Sequence, residues 1–365
     1  MLRTGVPAFL GYTTAGKPRA PAAFELASEF EAHVGPPPEV GYLHEAVRLF
    51  FANGGQRCVV VSLDDASQPE QTVADALEAL EPVDDVDLVC APDLPRARPP
   101  GELPSLPPEP TRVRVLQGLV LDHCDRLGNR FALLDSLPNA GQGAVLEQRR
   151  GLAGMNGALY YPWVRPLEQT GFTPPCGPVA GVYARTDERV GVHKAPANET
   201  LEGIVDLELS LDDEQQAALN PYGVNCLRAF PGRGIRVWGA RTLSADPEWR
   251  HVNVRRLFLT AARWMDRNLA DVAFETHDPS LWGRIERELT AYFEDLFRRG
   301  GLRGETAEEA FYVKCDAETN PLEGREQGRV VTEIGLAPAS PNEFVVVYVV
   351  HEAGGTTVTG PVRPG

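Results

Sequence analysis

Long apolar runs are missing from this sequence. Hydrophobic residues make up 43% of the 365 positions, which is ordinary for a globular protein, and none of their runs is long enough to span a bilayer. The first residues contain no basic segment followed by an apolar one, so we expect no signal peptide. These absences predict a protein that is made and assembled in the cytoplasm and that does not insert directly into a membrane.

Cysteine pairs and metal-ligand spacings are also missing. The sequence has no Cys-x-x-Cys pattern and no histidine at ligand spacing, and its six cysteines are scattered: Cys58, Cys90, Cys124, Cys176, Cys226 and Cys315. Several lie in apolar, strand-like runs, which indicates reduced and buried side chains. The acidic stretches 64–65 and 84–87 lack calcium-loop spacing, so we interpret them as solvated loop ends. We expect neither a disulfide bond nor a bound metal.

Signatures of catalysis and of cofactor binding are weak. Asp122, His123 and Cys124 are adjacent, so their side chains project in different directions, whereas a catalytic triad draws its members from separate segments. The sequence has no Gly-x-Ser-x-Gly motif. Gly141-Gln142-Gly143 lacks the third glycine of a dinucleotide loop, and we interpret it as a plain loop. We therefore predict no catalytic residue and no cofactor.

The charge is negative and unevenly distributed. A net charge of −16 argues against a nucleic-acid partner. Residues 227–303 carry 14 Arg against 10 acidic residues, a local charge of +4 that leaves −20 for the rest. Such asymmetry suits a face for an acidic or mixed-charge partner, but alternating charges are also typical of solvated helices, and charge alone favours the second interpretation.

The order of apolar segments predicts an α/β fold at this length, divided into two domains. An apolar strand at 6–12 is followed by a helix at 42–51, a glycine turn and a buried strand at 58–63. Further strands are predicted at 86–91, 131–134, 157–164, 201–207 and 273–275, and helices at 72–80, 113–126 and 214–219. Repeated βα units imply a mostly parallel sheet covered on both faces. The proline-rich stretch 94–110 is predicted to be an exposed excursion.

Residues 223–258 form a distinctive unit. The apolar runs 224–230 and 235–238 flank a Pro-Gly-Arg-Gly turn, which predicts a β-hairpin, and a helix begins near residue 252. The sequences Phe-Pro-Gly-Arg-Gly-Ile, Val-Trp-Gly-Ala-Arg-Thr and Trp-Arg-x-Val-Asn-Val-Arg-Arg follow one another closely. Their most distinctive positions are Phe230, Pro231, Gly232, Arg233, Gly234, Trp238, Gly239, Arg241, Trp249, Asn253, Arg255 and Arg256.

These motifs resemble the C-terminal core of contractile tail sheath proteins, the family of phage tails, tailocins and extracellular injection systems. The resemblance covers most of the chain and is weakest between about residues 65 and 150. Other segments that resemble the family are 6–12, 47–55, 175–185, 193–198, 310–316 and 333–338. It implies an α/β domain with subtilisin-like topology over 1–215, an α+β sheath core over 216–350 and a flexible tail over 351–365.

The resemblance also implies a function. Copies of the chain would polymerise as stacked hexameric rings around an inner tube protein, meet baseplate and cap proteins, and contract to drive the tube out, in a particle that is released from the cell. Two alternatives stay open: a sheath-like baseplate or cap component that does not polymerise, and an α/β hydrolase or nucleotide-binding enzyme. Family members carry an N-terminal arm, whereas only residues 1–4 precede the first motif here, so we expect the arm to be absent, replaced or missed at the start codon.

Two surfaces are assigned partners from this resemblance. A helix is predicted from 279 to 299, with an apolar stripe towards the core. Arg284, Arg287 and Arg298 lie off that stripe, and we expect them to meet acidic groups on the tube. The second surface is a strand that is apolar on both faces and is expected to pair with strands of another copy. It comprises Glu343, Phe344, Val345, Val346, Val347, Tyr348, Val349 and Val350.

Overall fold

The computed structural model describes residues 2–14, 20–38, 41–63, 68–96, 108–269, 275–338, 345–352 and 355–359. Its internal contacts divide the chain into two units, residues 3–255 and 256–365. The division falls within the helix Val252–Asn268.

The first unit contains a nine-stranded sheet and a separate two-stranded one. Its strands are β1 (Pro7–Gly11), β2 (Ala22–Phe24), β3 (Cys58–Ser62), β4 (Leu88–Cys90), β5 (Phe131–Asp135), β6 (Gly157–Tyr161), β7 (Val164–Pro166), β8 (Glu199–Thr200), β9 (Ile204–Leu207), β10 (Val224–Phe230) and β11 (Gly234–Val237). Its helices are α1 (Ala27–Val34), α2 (Leu43–Ala52), α3 (Pro69–Leu80), α4 (Pro110–Leu127), α5 (Gln142–Arg150), α6 (Cys176–Arg189) and α7 (Asp213–Leu219).

The large sheet has a parallel centre and antiparallel margins. Its order is β2-β3-β1-β4-β5-β6-β10-β11-β8, in which the six strands from β3 to β10 run parallel. The smaller sheet pairs β7 with β9. The prediction of a mostly parallel sheet is therefore confirmed.

Helices cover the sheet on both faces, as predicted. On one face, alternate strand residues such as Leu10 and Val61 pack with Leu116 of α4 in the main hydrophobic cluster. On the other face, the ring of Phe9 lies 5.7 Å from that of Phe50 in α2. Residues of the central strands are buried whichever way they point, which explains their continuous apolar runs.

Several predicted boundaries are corrected. The predicted strand 157–164 is split into β6 and β7, because Pro162 has no N–H to donate. The predicted strand 201–207 begins only at Ile204, because Gly203 has a φ of 73°. The helices α5 and α6 were not predicted. Of the predicted strand 273–275, residues 273–274 lie outside the described part of the chain, and Glu275 is not assigned to a strand.

The predicted proline-rich excursion is shorter than expected. Leu94 and Pro95 are buried in a 3₁₀ turn, because Leu94 belongs to the main hydrophobic cluster. At the other end, Pro110 is the first residue of α4, where its missing N–H is harmless, and Glu109 caps the helix. Residues 97–107 lie outside the described part of the chain.

The second unit is an α+β assembly. Its helices are α8 (Val252–Asn268), which begins before the division, α9 (Pro279–Arg298), α10 (Ala307–Ala310) and α11 (Leu322–Glu326), and its strands are β12 (Phe311–Lys314), β13 (Val330–Leu336), β14 (Val345–Glu352) and β15 (Gly355–Thr359). The strands form one antiparallel sheet in the order β12-β13-β14-β15. The ring of Phe293 in α9 lies 5.7 Å from that of Phe311 in β12.

Two domain limits differ from the predicted ones. The hairpin β10–β11 extends the large sheet through pairing of β10 with β6, so the contacts divide the chain after Arg255 rather than after residue 215. The predicted tail 351–365 contains the end of β14 and all of β15, because threonines and Val358 favour an extended chain.

Candidate functional site

The predicted hairpin is confirmed, and its exposed turn lies beside a half-buried pair of aromatic side chains. Gly232 and Gly234 have φ values of 70° and 72°, which the tight turn requires. The ring of Phe230 lies 4.5 Å from that of Trp238. The guanidinium groups of Arg228 and Arg233 lie 5.2 Å and 5.6 Å from the centre of the Phe230 ring, within the range of cation–π contacts.

Below the turn, a buried asparagine joins the two ends of the hairpin. The side chain of Asn225 is fully buried; its amide donates to the carbonyl of Arg241 at 2.7 Å and its oxygen accepts from the N–H of Arg241 at 2.7 Å. A Cβ on Gly239 would lie 2.8 Å from the same Asn225 oxygen, which explains a glycine at that position. Sequence reasoning missed Asn225, because a lone polar residue inside an apolar strand carries no spacing signal.

The start of α8 is fixed by a buried arginine. Arg255 is 6% exposed, and its Nε donates to the side-chain oxygen of Asn156 at 2.5 Å. Its guanidinium lies 4.7 Å from the centre of the Trp249 ring. Burial lowers the pKa of Arg255 to about 10, while the nearby Asp125 carboxylate opposes that shift. Asp125 in turn accepts a hydrogen bond from the N–H of Asn156 at 2.9 Å, so Asn156 connects Arg255 to Asp125.

The remaining motif residues extend this network. The amide of Asn253 donates to the carbonyl of His193 at 3.0 Å, and Thr242 Oγ1 donates to the carbonyl of Trp249 at 2.6 Å. Arg256 is 2% exposed. The motif that is most distinctive in the sequence therefore has mainly a structural role: it fixes the hairpin and the first turn of α8. Of its most distinctive positions, only Pro231, Gly232, Arg233 and Gly234 are exposed.

The adjacent Asp122, His123 and Cys124 are not arranged for catalysis. All three lie on α4, with Asp122 exposed and the other two buried. Burial, reinforced by the cations of Arg130 and Arg126, lowers the pKa of His123 to about 4, and burial raises the pKa of the Cys124 thiol. Thus the imidazole stays neutral and the thiol stays protonated at neutral pH.

The glycine pair at 141–143 is not the loop that was predicted. Gly141 is the N-cap of α5, and Gly143 lies in its first turn. Among the described residues no group of three or more His, Cys, Asp or Glu could hold a metal ion. In the same residues no helix is both long and apolar enough to cross a membrane.

The helix predicted at 279–299 is confirmed as α9, and Asp278 caps it. The side chain of Asp278 accepts the N–H groups of Ser280 at 2.8 Å and Leu281 at 3.1 Å. The buried face consists of Leu281, Trp282, Ile285, Leu289 and Phe293.

The three arginines of α9 differ in their surroundings. Arg284 forms ion pairs with Glu275 and with Glu288, the second at 3.0 Å. Arg287 is exposed and has no ion pair with a described residue. The side chain of Arg298 is 72% exposed and lies 3.9 Å from Asp295, a separation at which solvent screens the attraction. Arg287 and Arg298 are therefore open to a partner, whereas Arg284 is engaged within the chain.

The predicted strand at 343–350 is observed as β14 from Val345 onwards. Residues 343–344 lie outside the described part of the chain. Its residues 345–351 pair with β13, and residues 348–352 pair with β15. Val347 and Val349 are buried. Because β14 is internal, the edges of this sheet are β12 and β15.

Comparison with known proteins identifies the family. The profile of the phage tail sheath protein central domain matches residues 114–243, and that of the phage tail sheath C-terminal domain matches residues 244–351. The chain belongs to the phage tail sheath protein family. The tail sheath protein of Vibrio phage KVP40 is 26% identical over 220 residues, which are 58% of this chain. This chain spans about a third of the length of the phage sheath proteins it matches, 31% for KVP40.

Solved structures match over nearly the whole chain. A chain of the anti-feeding prophage helical sheath in its contracted state is 30% identical, with a TM-score of 0.76 over 94% of this chain and 92% of that one. A chain from the baseplate of the same prophage is also 30% identical, with a TM-score of 0.77 over 93% of this chain and 91% of that one. The α/β and α+β character predicted for this sheath protein is thus confirmed.

Proposed function

We propose that this protein is the structural subunit of the contractile sheath of a phage-tail-like injection system. Copies assemble in the cytoplasm as stacked rings around an inner tube protein, between baseplate and cap, and contract to drive the tube out. The observation that supports this proposal is the similarity, over nearly the full length of both chains, to a helical sheath. Contraction then needs no nucleotide, because the contracted state makes more interface between subunits and this added contact supplies the free energy.

Electron microscopy of the purified chain, expressed with its tube protein, tests the proposal. We expect striated tubes. The similar TM-score to a baseplate chain supports a second candidate, a sheath-like component at the baseplate. That candidate predicts single rings or isolated particles in the same micrographs, and never tubes.

The exposed arginines of α9 support a proposed contact with the tube. We infer that Arg287 and Arg298 meet acidic groups of the tube protein, with Arg284 beside them. A contact made of exposed charges sets register and still releases during contraction, because each pair contributes at most about 1 kcal/mol.

Replacing Arg284, Arg287 and Arg298 by Glu is expected to leave folded subunits that assemble poorly around tubes. The pair Arg287→Glu and Arg298→Glu isolates the partner contact from the intrachain pairs of Arg284. A matched control reverses Arg126 and Arg165, two arginines of the first unit that are paired with carboxylates. Co-sedimentation with purified tubes measures the effect. Normal sheathed tubes from the double variant would show that this face of α9 is exposed to solvent and makes no contact with the tube.

The terminal sheet supports a second proposed contact, between copies. We infer that this sheet pairs with strands of another subunit at its free edges β12 and β15, and that β14, which is internal, supports that contact without making it. Truncation after Glu352 removes β15 and keeps β14 paired with β13. We expect soluble protein that forms no tubes, and tubes of normal appearance would refute the contact at this edge.

A further inference from the structure

Four arginines line one small pocket of the first unit. This basic pocket is defined by Arg149, Arg150, Arg241 and Arg250, together with Tyr222, and encloses about 260 Å³. Its lining contains no acidic residue. The sequence separates the four arginines into three segments, so their convergence is decided by the fold.

Within the basic pocket, the side chain of Arg149 is held in place by hydrogen bonds to the backbone. Arg149, in the last turn of α5, donates to the backbone carbonyls of Tyr222 at 2.7 Å, Leu152 at 2.8 Å and Leu243 at 2.7 Å. These carbonyls orient its guanidinium but do not neutralise its charge. The guanidinium of Arg150 lies 6.0 Å from the centre of the Tyr222 ring.

The rim of the basic pocket comes from the segment between the hairpin and α8. The N–H of Thr242 donates to the carbonyl of Arg250 at 2.9 Å, which brings Arg241 and Arg250 side by side. Burial lowers the pKa of Arg241, and the neighbouring Arg250 cation lowers it further. The same two cations add to burial in lowering the pKa of His251.

The charge of this cluster is not balanced by ion pairs within the described part of the chain. None of the four arginines belongs to an ion pair between residues that the structure describes, although acidic residues outnumber basic ones by 51 to 35 in the chain. Like charges that are held together without a counter-ion raise the free energy of the folded state. An anion that enters the basic pocket would remove this cost.

We propose that the basic pocket receives an acidic side chain from a second copy of this chain. Its volume is below the range of about 300–1,000 Å³ that holds a drug-sized ligand, and it suits a single carboxylate. Guanidinium forks bind carboxylates in pairs of parallel hydrogen bonds. Copies that each carry a net charge of −16 repel one another, so a site that pairs acid with base at a contact favours assembly. The choice of a second copy rests on the proposed sheath function.

The test uses the full chain with Arg150, Arg241 and Arg250 replaced by Gln. Arg149 is left in place because it holds three backbone carbonyls. The control replaces Arg126, Arg165 and Arg189 by Gln, which changes the net charge equally, at arginines paired with Glu81, Asp206 and Glu199. Each variant is examined for tubes by electron microscopy and for binding of citrate and of inorganic phosphate by calorimetry, and thermal unfolding checks that it is folded.

We expect the pocket variant to bind citrate about tenfold or more weakly than wild type, because charge-assisted hydrogen bonds each contribute enough to change affinity about tenfold. We also expect it to form no tubes, whereas the control variant should behave as wild type in both measurements. Tubes formed normally by the pocket variant would overturn the inference, as would phosphate binding without citrate binding. If wild type itself forms no tubes, the sheath function and the second-copy occupant both fail, and citrate binding alone decides whether the pocket takes carboxylates.

Discussion

Asn225 offers the sharpest test of how the hairpin is held. Its buried side chain makes two hydrogen bonds of 2.7 Å with the backbone of Arg241, one as donor and one as acceptor. Asn225→Ala removes both. Each lost bond costs about 1 kcal/mol net, rising to about 2 kcal/mol where the partly buried N–H or carbonyl of Arg241 is left without a partner. We therefore expect the free energy of unfolding to fall by about 2–4 kcal/mol.

Denaturant unfolding followed by tryptophan fluorescence measures this loss, since Trp238 and Trp249 lie in the same part of the first unit. Asn225→Asp is a second probe: it keeps an acceptor for the N–H of Arg241 but faces its carbonyl with a carboxylate oxygen, so we expect a loss at least as large. Asn268→Ala is the control, because Asn268 is exposed and its side chain donates, among the described residues, to the carbonyl of Trp264 alone. A change below about 0.5 kcal/mol for Asn225→Ala, the range of ordinary surface substitutions, would refute the reasoning.

Two further predictions concern the first unit. A Cβ on Gly177 of α6 would lie 2.4 Å from the carbonyl oxygen of Ala46 in α2, so Gly177→Ala is expected to lower the free energy of unfolding by about 1–3 kcal/mol. In α4, a Cβ on Gly118 meets no atom within 4 Å, so Gly118→Ala should raise the free energy of unfolding by about 1 kcal/mol. Urea denaturation compares the two variants. Burial raises the pKa of Asp135 from 3.8 to about 7, so the folded state binds a proton that the unfolded state releases, and stability is lost as the pH rises from about 4 to about 7. Asp135→Asn keeps an acceptor for the N–H of Cys176 and removes this titration. Its stability relative to wild type should rise by on the order of 3 kcal/mol between about pH 5 and about pH 8, measured by denaturation at the two pH values, and a pH-independent difference would contradict the raised pKa.

The periodic elements could be predicted from the sequence because their signals are local. The apolar run at Cys58–Ser62 and the helical spacing of Leu43–Ala52 each report burial that the neighbouring residues share. The capped helix α9 and the hairpin turn followed from residues with restricted backbone preferences, such as Pro279 and Gly232. The family resemblance used the same local runs.

Helix α6 could not be predicted from local preference. Its sequence contains Gly177 and Gly181, which disfavour a helix in isolation, and Pro178, which a helix tolerates only in its first turn. The fold supplies the reason for two of them: a Cβ on Gly181 would lie 2.5 Å from the carbonyl oxygen of Phe50, and Gly177 approaches α2 as closely. Tertiary packing of the two backbones outweighs helix propensity here.

The sequence by itself determined the family, the parallel sheet and the capped helix α9, because each depends on residues close together in the chain. Only the tertiary structure decided that Asn225 closes the hairpin and that β14 is internal. It also decided that arginines of three segments share one pocket. These features depend on distances between side chains that are remote in sequence, and no local pattern encodes such distances.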